Sequence, residues 1–528
     1  MDVLFRGAEV VDGSGTARFR ADVAVSAGKI SAVAVGGDRR LSASRVVDVA
    51  GLILAPGFVD MHAHSDLALL TDPAHLAKVG QGCTTEVVGQ DGLSYAPVDD
   101  AAAATLWDQL AAWNGKPDVD YDWRTVGEYL DRLDRGCAVN AAYLVPHGVL
   151  RMRAVGWDDR PATPSELDAM CAVLAAALDE GAFGMSAGLT YPPGMYADAD
   201  ELTALCAVVA RHGGFFSPHH RSYGAGALEA YAEMIAVARA GGCGLHLTHA
   251  TMNFDVNAGR AGELLELVDR ARADGLDVTV DSYPYLAGAT SLAALLPSWT
   301  MEGGPDACAA RLRNPALRAS VRRELDEIGS DGCHGVPVDW ASTEISGVAH
   351  DRHRDLVGRT VARAADDAGL PASQFYLDLL LDDDFGTSCL MHVGDEDNVR
   401  AVMVHKAHMV GSDGLLAATR PHPRAWGTFP RYLGRYVREL GLMTLEECVA
   451  HMTSRPARRL GLADRGLVRE GFAADLALFD PDAVADAATF DEPRRQPLGI
   501  PYVTVNGGFA IDEGRRTNSA TGRALRRR

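Results

Sequence analysis

The stretch Asp60-Met61-His62-Ala63-His64 places two imidazoles two positions apart at the end of a short apolar run. Strand side chains alternate between faces, so His62 and His64 point the same way. Two imidazoles converging at a strand's C-terminal end can hold one divalent cation, and imidazole nitrogen is a preferred ligand for zinc. Four further segments put a ligand or an acid-base group just past an apolar run. They are Gln90-Asp91-Gly92, Pro218-His219-His220-Arg221, His246-Leu247-Thr248-His249 and Gly411-Ser412-Asp413-Gly414. Together they describe a four-histidine centre with two carboxylates, suited to holding a divalent cation beside an acid-base group. Each alone has a plainer meaning. Asp91 and Asp413 precede glycine and could be turn residues. Only one of His219 and His220 faces the centre, and spacing does not say which. His246 lies three residues before His249, so alternation turns it away, towards a helix. His147 and His392 read as pocket or core histidines.

These groups need a frame that gathers them. Eight apolar runs, 57–62, 84–89, 140–146, 182–186, 214–218, 244–248, 278–283 and 408–412, alternate with amphipathic stretches. Helices are predicted over 164–179 (Thr163 as N-cap, Pro164 at the first turn), 200–212, 225–240 and 261–274. Eight such units predict an α/β fold, a TIM-type (β/α)8 barrel with its chemistry at the C-terminal strand ends. More than 120 residues separate the seventh and eighth runs, far more than one crossover needs. That insertion, about 286–400, is read as a lid, with helical pieces at 306–327 and 374–381. Residues 1–56 carry short apolar runs between Gly, Asp and Ser turns, and β-like sequence returns at 466–476, 502–505 and 509–511. The expected division is therefore 1–56 and 461–528 as one small β-domain built from both termini, around a barrel at 57–460. The basic tail 523–528 reads as frayed.

Composition excludes several classes of function. The 528 residues are 47% apolar and 23% charged, with a formal net charge of −21. Nucleic acid and anionic membranes demand basic patches, so neither is an expected partner. Nine scattered cysteines without a Cys-x-x-Cys pair read as reduced thiols in the core. The opening residues have no basic n-region or apolar core of a signal peptide, and no run is long enough to span a bilayer. A cytoplasmic location is expected.

The motifs also carry a resemblance. The His-x-His opening, the histidines of the fifth and sixth strands and Gly411-Ser412-Asp413-Gly414 resemble the amidohydrolase superfamily. Gly188-Leu189-Thr190-Tyr191-Pro192-Pro193-Gly194, Asp281-Ser282-Tyr283-Pro284-Tyr285, Arg420-Pro421-His422-Pro423-Arg424 and Met452-Thr453-Ser454-Arg455-Pro456 resemble its N-acyl-D-amino-acid deacylase (D-aminoacylase) family over essentially the whole chain. The family's His-Met-Arg pattern falls on His219-His220-Arg221, which makes His219 the ligand. Two positions depart from the family. Its metal-binding Cys in an Asn-Cys-Gly turn is replaced by Asp91, and its His-x-Lys by His249-Ala250-Thr251.

The resemblance implies a zinc-dependent hydrolase of the carbon–nitrogen bond in an N-acyl-D-amino acid or related small molecule. His219, His249 and Asp91 would hold the principal zinc, with His62 and His64 completing a second site, so one or two ions per subunit. Asp413 would accept the water's proton and pass it to the departing amine. Tyr191 would face the developing oxyanion. A free substrate carboxylate needs a cationic clamp, for which Arg424, Arg151, Arg221 and Tyr283 are candidates. Two other readings stay open: an amidohydrolase of a cyclic amide, imide or specialised small-molecule amide, and a catalytically silent scaffold of the same fold. Assembly as a homo-oligomer is also left open.

Overall fold

The computed structural model describes residues 1–36 and 41–527. Eight parallel strands form the central sheet: β1 (Phe58–Asp60), β2 (Cys83–Val88), β3 (Asn140–Pro146), β4 (Gly184–Gly188), β5 (Phe215–His219), β6 (Gly244–Leu247), β7 (Val278–Ser282) and β8 (His408–Val410). Each pairs with its neighbour in chain order, from β1 through β8. The ring closes between its first and last strands, where Met61 N donates to Val410 O at 3.1 Å and Asp413 N to His62 O at 2.8 Å. This is the (β/α)8 barrel. Its interior is filled by apolar side chains from alternate strand positions, including Val59, Val87, Leu144, Phe215 and Met409. All eight predicted strands are present, with β3 matching end for end.

The helix Pro164–Asp179 also has its predicted bounds. Thr163 and Glu166 form a capping box across its first turn, and Pro164 occupies the position where a missing N–H costs nothing. Elsewhere the expectations shift. The helix over 306–327 is two, Pro305–Arg313 and Pro315–Arg323, because Asn314 stops the first and caps the second.

Strands from both ends of the chain share one nine-stranded sheet. Ile53–Pro56 runs antiparallel to Leu476–Phe479, joining the two ends immediately before β1 begins. Of the β-like stretch at 466–476, only Leu476 belongs to a strand. The tail is not frayed over its described part. Leu525 N donates to Ala141 O at 2.7 Å, and the buried Leu525 side chain joins the apolar cluster inside the barrel. The Ala524-Leu525 pair supplies apolar area that the flanking arginines mask in the sequence. Arg528 lies outside the described residues.

Between β7 and β8, residues 283–407 build their own layer. Ala287–Ser291, Thr343–Gly347 and Ser388–His392 form a three-stranded antiparallel sheet, backed by a separate apolar core that includes Leu312, Leu325, Tyr376 and Cys389. Among the described residues, no helix is long and apolar enough to cross a membrane.

Candidate active site

The centre begins with the strand ends. β1 stops at Asp60, and the next residues turn inward so that His62 Nε2 and His64 Nε2 lie 3.2 Å apart. Beneath them Asp60 is fully buried and accepts from Lys78 Nζ at 2.6 Å, Ser412 Oγ at 2.6 Å and Ser412 N at 2.8 Å. Lys78 also lies 3.2 Å from Glu86 Oε1. One buried network thus ties β1, β2 and β8 together below the histidines.

Asp91 follows β2 with φ at +54°. It stands between two histidine pairs. Its Oδ1 lies 3.5 Å from His62 Nε2 and 3.6 Å from His249 Nε2. Its Oδ2 lies 3.5 Å from both His64 Nε2 and His219 Nδ1. His219 Nδ1 and His249 Nε2 are 3.1 Å apart. Asp413, after β8, reaches the same centre, with Oδ1 3.2 Å from His64 Nε2. Two overlapping groups could therefore hold metal: His62, His64, Asp91 and Asp413, and Asp91, His219 and His249.

The second nitrogens of two histidines are held by neighbours that sequence reasoning did not find. Thr190 Oγ1 lies 2.8 Å from His219 Nε2, and Tyr223 Oη lies 2.9 Å from His249 Nδ1. Such partners fix the ring orientation and leave the opposite nitrogen facing the centre. Thr190 adjoins the quoted Tyr191 motif, a signal that could have flagged it; Tyr223 carries none.

His219 and His220 are separated by environment. His220 is buried between the Tyr223 and Tyr231 rings, with no partner on either nitrogen. Burial, with His219 and His249 nearby, pushes its pKa well down, so it is a neutral core residue. His246 corrects the alternation argument. It faces into the barrel, not a helix, packing on Phe215 and lying 2.9 Å from Asp281 Oδ2. Asp281 Oδ1 in turn accepts from His249 N at 2.8 Å. The alternation rule fails because β6 ends at Leu247 and His249 is turned into the site by a φ of +30°.

Electrostatics at the centre favour ionised carboxylates. Burial opposes ionisation of Asp91, yet the neighbouring His62 and His219 imidazoles hold its pKa well below the usual range. Burial likewise opposes ionisation of Asp413, and Arg424 and His62 outweigh it. The Tyr191 hydroxyl is pushed up by burial and by Asp91, so it remains a donor; it lies 3.0 Å from Thr290 Oγ1.

Of the four clamp candidates, two reach the site. Arg424 Nη2 lies 2.9 Å from Asp413 Oδ2, and its guanidinium carbon sits 4.4 Å from the centre of the Tyr283 ring. Arg424 Nε and Nη1 are buried without a hydrogen-bond partner. Burial pushes the Tyr283 hydroxyl up to about 12, against the pull of Arg424. Arg151 and Arg221 do not face the pocket. Arg151 is buried in a close ion pair with Glu201, which also lies 2.8 Å from His147 Nε2. Arg221 is held by Glu233 at 3.0 Å and by Met195 O at 2.9 Å. Arg424 and Tyr283 line the pocket beside Asp91 and Asp413, whereas Arg151 and Arg221 do not. Arg221 braces the loop that follows Tyr191 instead. His392 stays outside the centre, exposed and 3.6 Å from Glu344.

A barrel closed at β1 and β8, with four histidines and two carboxylates at its C-terminal end, defines a metal-dependent hydrolase class. The comparisons agree: residues 45–510 match the amidohydrolase family, and the chain belongs to it. Its relatives narrow the membership to the N-acyl-D-amino-acid deacylases. It is 36% identical to N-acyl-D-glutamate deacylase of Alcaligenes xylosoxydans xylosoxydans, over 100% of this chain and 97% of that one. It is 34% identical to D-aminoacylase of the same organism, over 100% and 98%. The fold matches the crystal structure of N-acyl-D-glutamate deacylase from Bordetella bronchiseptica, complexed with zinc and a phosphonate mimic of the tetrahedral intermediate. That TM-score is 0.84, at 34% identity, covering 100% of both chains.

Proposed function

We propose that this protein is a zinc-dependent deacylase that removes the acyl group from N-acyl-D-amino acids. The observation that carries the reading is the spacing of the ligand atoms. Zinc with tetrahedral ligands at 2.0–2.2 Å sets neighbouring ligand atoms about 3.4 Å apart. Here the two histidine pairs are spaced 3.2 and 3.1 Å, and Asp91 lies 3.5–3.6 Å from all four rings. Asp91 Oδ1 has no hydrogen-bond partner although it is buried, as suits an oxygen reserved for a cation. The donors fit zinc. His219, His249 and Asp91 would hold one ion, and His62 and His64 a second, with Asp91 reaching both.

When bound, zinc supplies Lewis acidity to the scissile carbonyl and acidifies water. The chain's own residues do the rest. Asp413 Oδ1 accepts the proton of the attacking water and returns it to the amine nitrogen as the C–N bond breaks. Arg424 keeps that carboxylate ionised between turnovers. Tyr191 Oη donates to the oxygen that becomes negative in the transition state. The unpartnered Arg424 donors and the Tyr283 hydroxyl receive the substrate's α-carboxylate. The buried free thiols of eight of the nine cysteines support a reducing, cytoplasmic setting. We divide the chain functionally into the barrel with its insertion, 57–460, and a supporting β-domain of 1–56 and 461–528.

The test is a panel of N-acetyl D- and L-amino acids assayed alongside elemental analysis. Hydrolysis confined to the D-series, with about one or two zinc ions per chain, is the expected result. Turnover of L-substrates alone, or of cyclic imides without any N-acetyl-D-amino acid, would overturn the reading.

A further inference from the structure

The pocket over the metal ligands is small, about 80 Å³. A second chamber of about 380 Å³ adjoins it, and Trp113, Tyr191 and Ala294 line both. That size alone is in the range of small-molecule sites. Its walls are largely apolar and come from four parts of the chain: Leu110 and Trp113 after β2, Trp157 after β3, Pro192 after β4, and Met301 and Phe385 from the insertion. Trp113 packs edge-on against both His64, at 5.2 Å, and Tyr191, at 5.1 Å. The chamber therefore opens from the catalytic centre past one aromatic pair. At its rim stand Asp108, Asp306 and Asp384.

The ring order says which part of the substrate points there. Arg424 and Tyr283 belong to the β7–β8 side, and Asp413, which protonates the amine, follows β8. In a ring of eight strands the opposite side is β3–β4, where Tyr191 follows β4. An amino acid whose carboxylate is held by Arg424 and whose amine faces Asp413 must send its acyl chain across the centre, towards Trp113 and Tyr191. We infer that the second chamber is the acyl subsite, and that this enzyme prefers apolar acyl groups longer than acetyl. The inference rests on the deacylase reading. At the rim Asp108 and Asp384 already face Lys116 and His350, and Asp306 adds a carboxylate that disfavours a terminal anion on the acyl chain.

The experiment is a chain-length series, acetyl, butyryl, hexanoyl and octanoyl, on one D-amino acid with the zinc-loaded protein. Each buried methylene contributes up to about fourfold in kcat/KM, and a rise of at least about tenfold from acetyl to hexanoyl is expected. A succinyl compound is expected to be a poorer substrate than butyryl. Ala293→Phe fills the chamber from a position that lines it without lining the catalytic pocket. It should keep N-acetyl turnover within about twofold and lose the gain with length. The wild-type series decides the matter if that variant does not fold. A flat or falling series with N-acetyl activity intact overturns the acyl subsite alone. So does a comparable gain from lengthening the amino-acid side chain, with acetyl fixed, in place of the acyl group. No turnover of any member, N-acetyl included, overturns the deacylase reading and the subsite with it.

Discussion

Asp91, His249 and Asp413 hold φ angles of +54°, +30° and +50°, in the left-handed region that costs an L-residue about 1–2 kcal/mol. Three such residues at one centre mark positions where the surrounding structure enforces a costly backbone for the sake of side-chain aim. For Asp413 the proposed aim is proton transfer. Asn tolerates the same backbone and keeps the shape, so Asp413→Asn should lower kcat by about 10²-fold or more while leaving the fold and most zinc in place. Kinetics with elemental analysis checks this, and activity within about tenfold of wild type would remove Asp413 from the mechanism. Asp91 has a different task. Four neutral histidines would bring no negative charge to one or two dications, and Asp91, between the two pairs, would supply it. Asp91→Ala is expected to lose most zinc and activity. Asp91→Cys should keep zinc with altered activity, since a thiolate can also bridge. Normal zinc content in Asp91→Ala would make the residue a turn former only.

At the scale of elements, the strands hold the centre through the buried network of Asp60, Lys78, Glu86 and Ser412, which His75 joins with Nε2 2.6 Å from Glu86 Oε2. Lys78 has no exposed side-chain surface and faces two carboxylates, at 2.6 and 3.2 Å. Removing one partner of a buried charge pair strands the others, so Lys78→Met should destabilise by about 3–5 kcal/mol in denaturant melts. The same network sets an acid limit. Burial opposes ionisation of Glu86, yet His75 and Lys78 bring its pKa down from 4.5 to about 2. A carboxyl depressed on folding stabilises fully above its unfolded pKa, and that stability is lost as pH falls through the folded value. Glu86 thus contributes roughly 3 kcal/mol near neutrality, which disappears between about pH 4.5 and pH 2. Urea midpoints across that window should fall more steeply for wild type than for Glu86→Gln; parallel slopes would contradict the assignment.

The elements also show why parts of this were legible beforehand. β3 and the helix Pro164–Asp179 were predicted with their observed bounds, since local signals decide them: an uninterrupted apolar run, and a capping box with proline in the first turn. The gathering of the strand-end histidines and carboxylates was readable because barrel topology converts chain order into a ring. Arg151 and Arg221 were candidates because a sequence does not show that they are held against Glu201 and Glu233 away from the pocket. His246 was misplaced because strand alternation was carried two residues beyond the last residue of β6. Lys78 and Tyr223 reach their partners only through tertiary packing, which no local pattern reports.

Across the whole molecule, the C-terminal tail and the insertion meet the barrel at opposite ends. Leu525 packs into the interior cluster beside Phe183 and Phe215, while Thr290, His334 and Met391 from the insertion line the catalytic pocket at the other end. A cap with its own apolar core can move as a unit, and closing it would exclude water and strengthen the electrostatics beneath. Hydrogen exchange over 286–400 should slow when a phosphonate inhibitor saturates the zinc-loaded protein; unchanged exchange throughout that segment would argue against closure. The central claim is that these four histidines and Asp91 hold zinc at the C-terminal end of the barrel. Anomalous scattering from zinc-loaded crystals, measured on both sides of the zinc absorption edge, tests it most directly. One or two peaks are expected within the ring formed by His62, His64, Asp91, His219 and His249, the stronger beside His219 and His249. An empty ring in crystals whose zinc content is confirmed, or zinc bound only elsewhere, would contradict it.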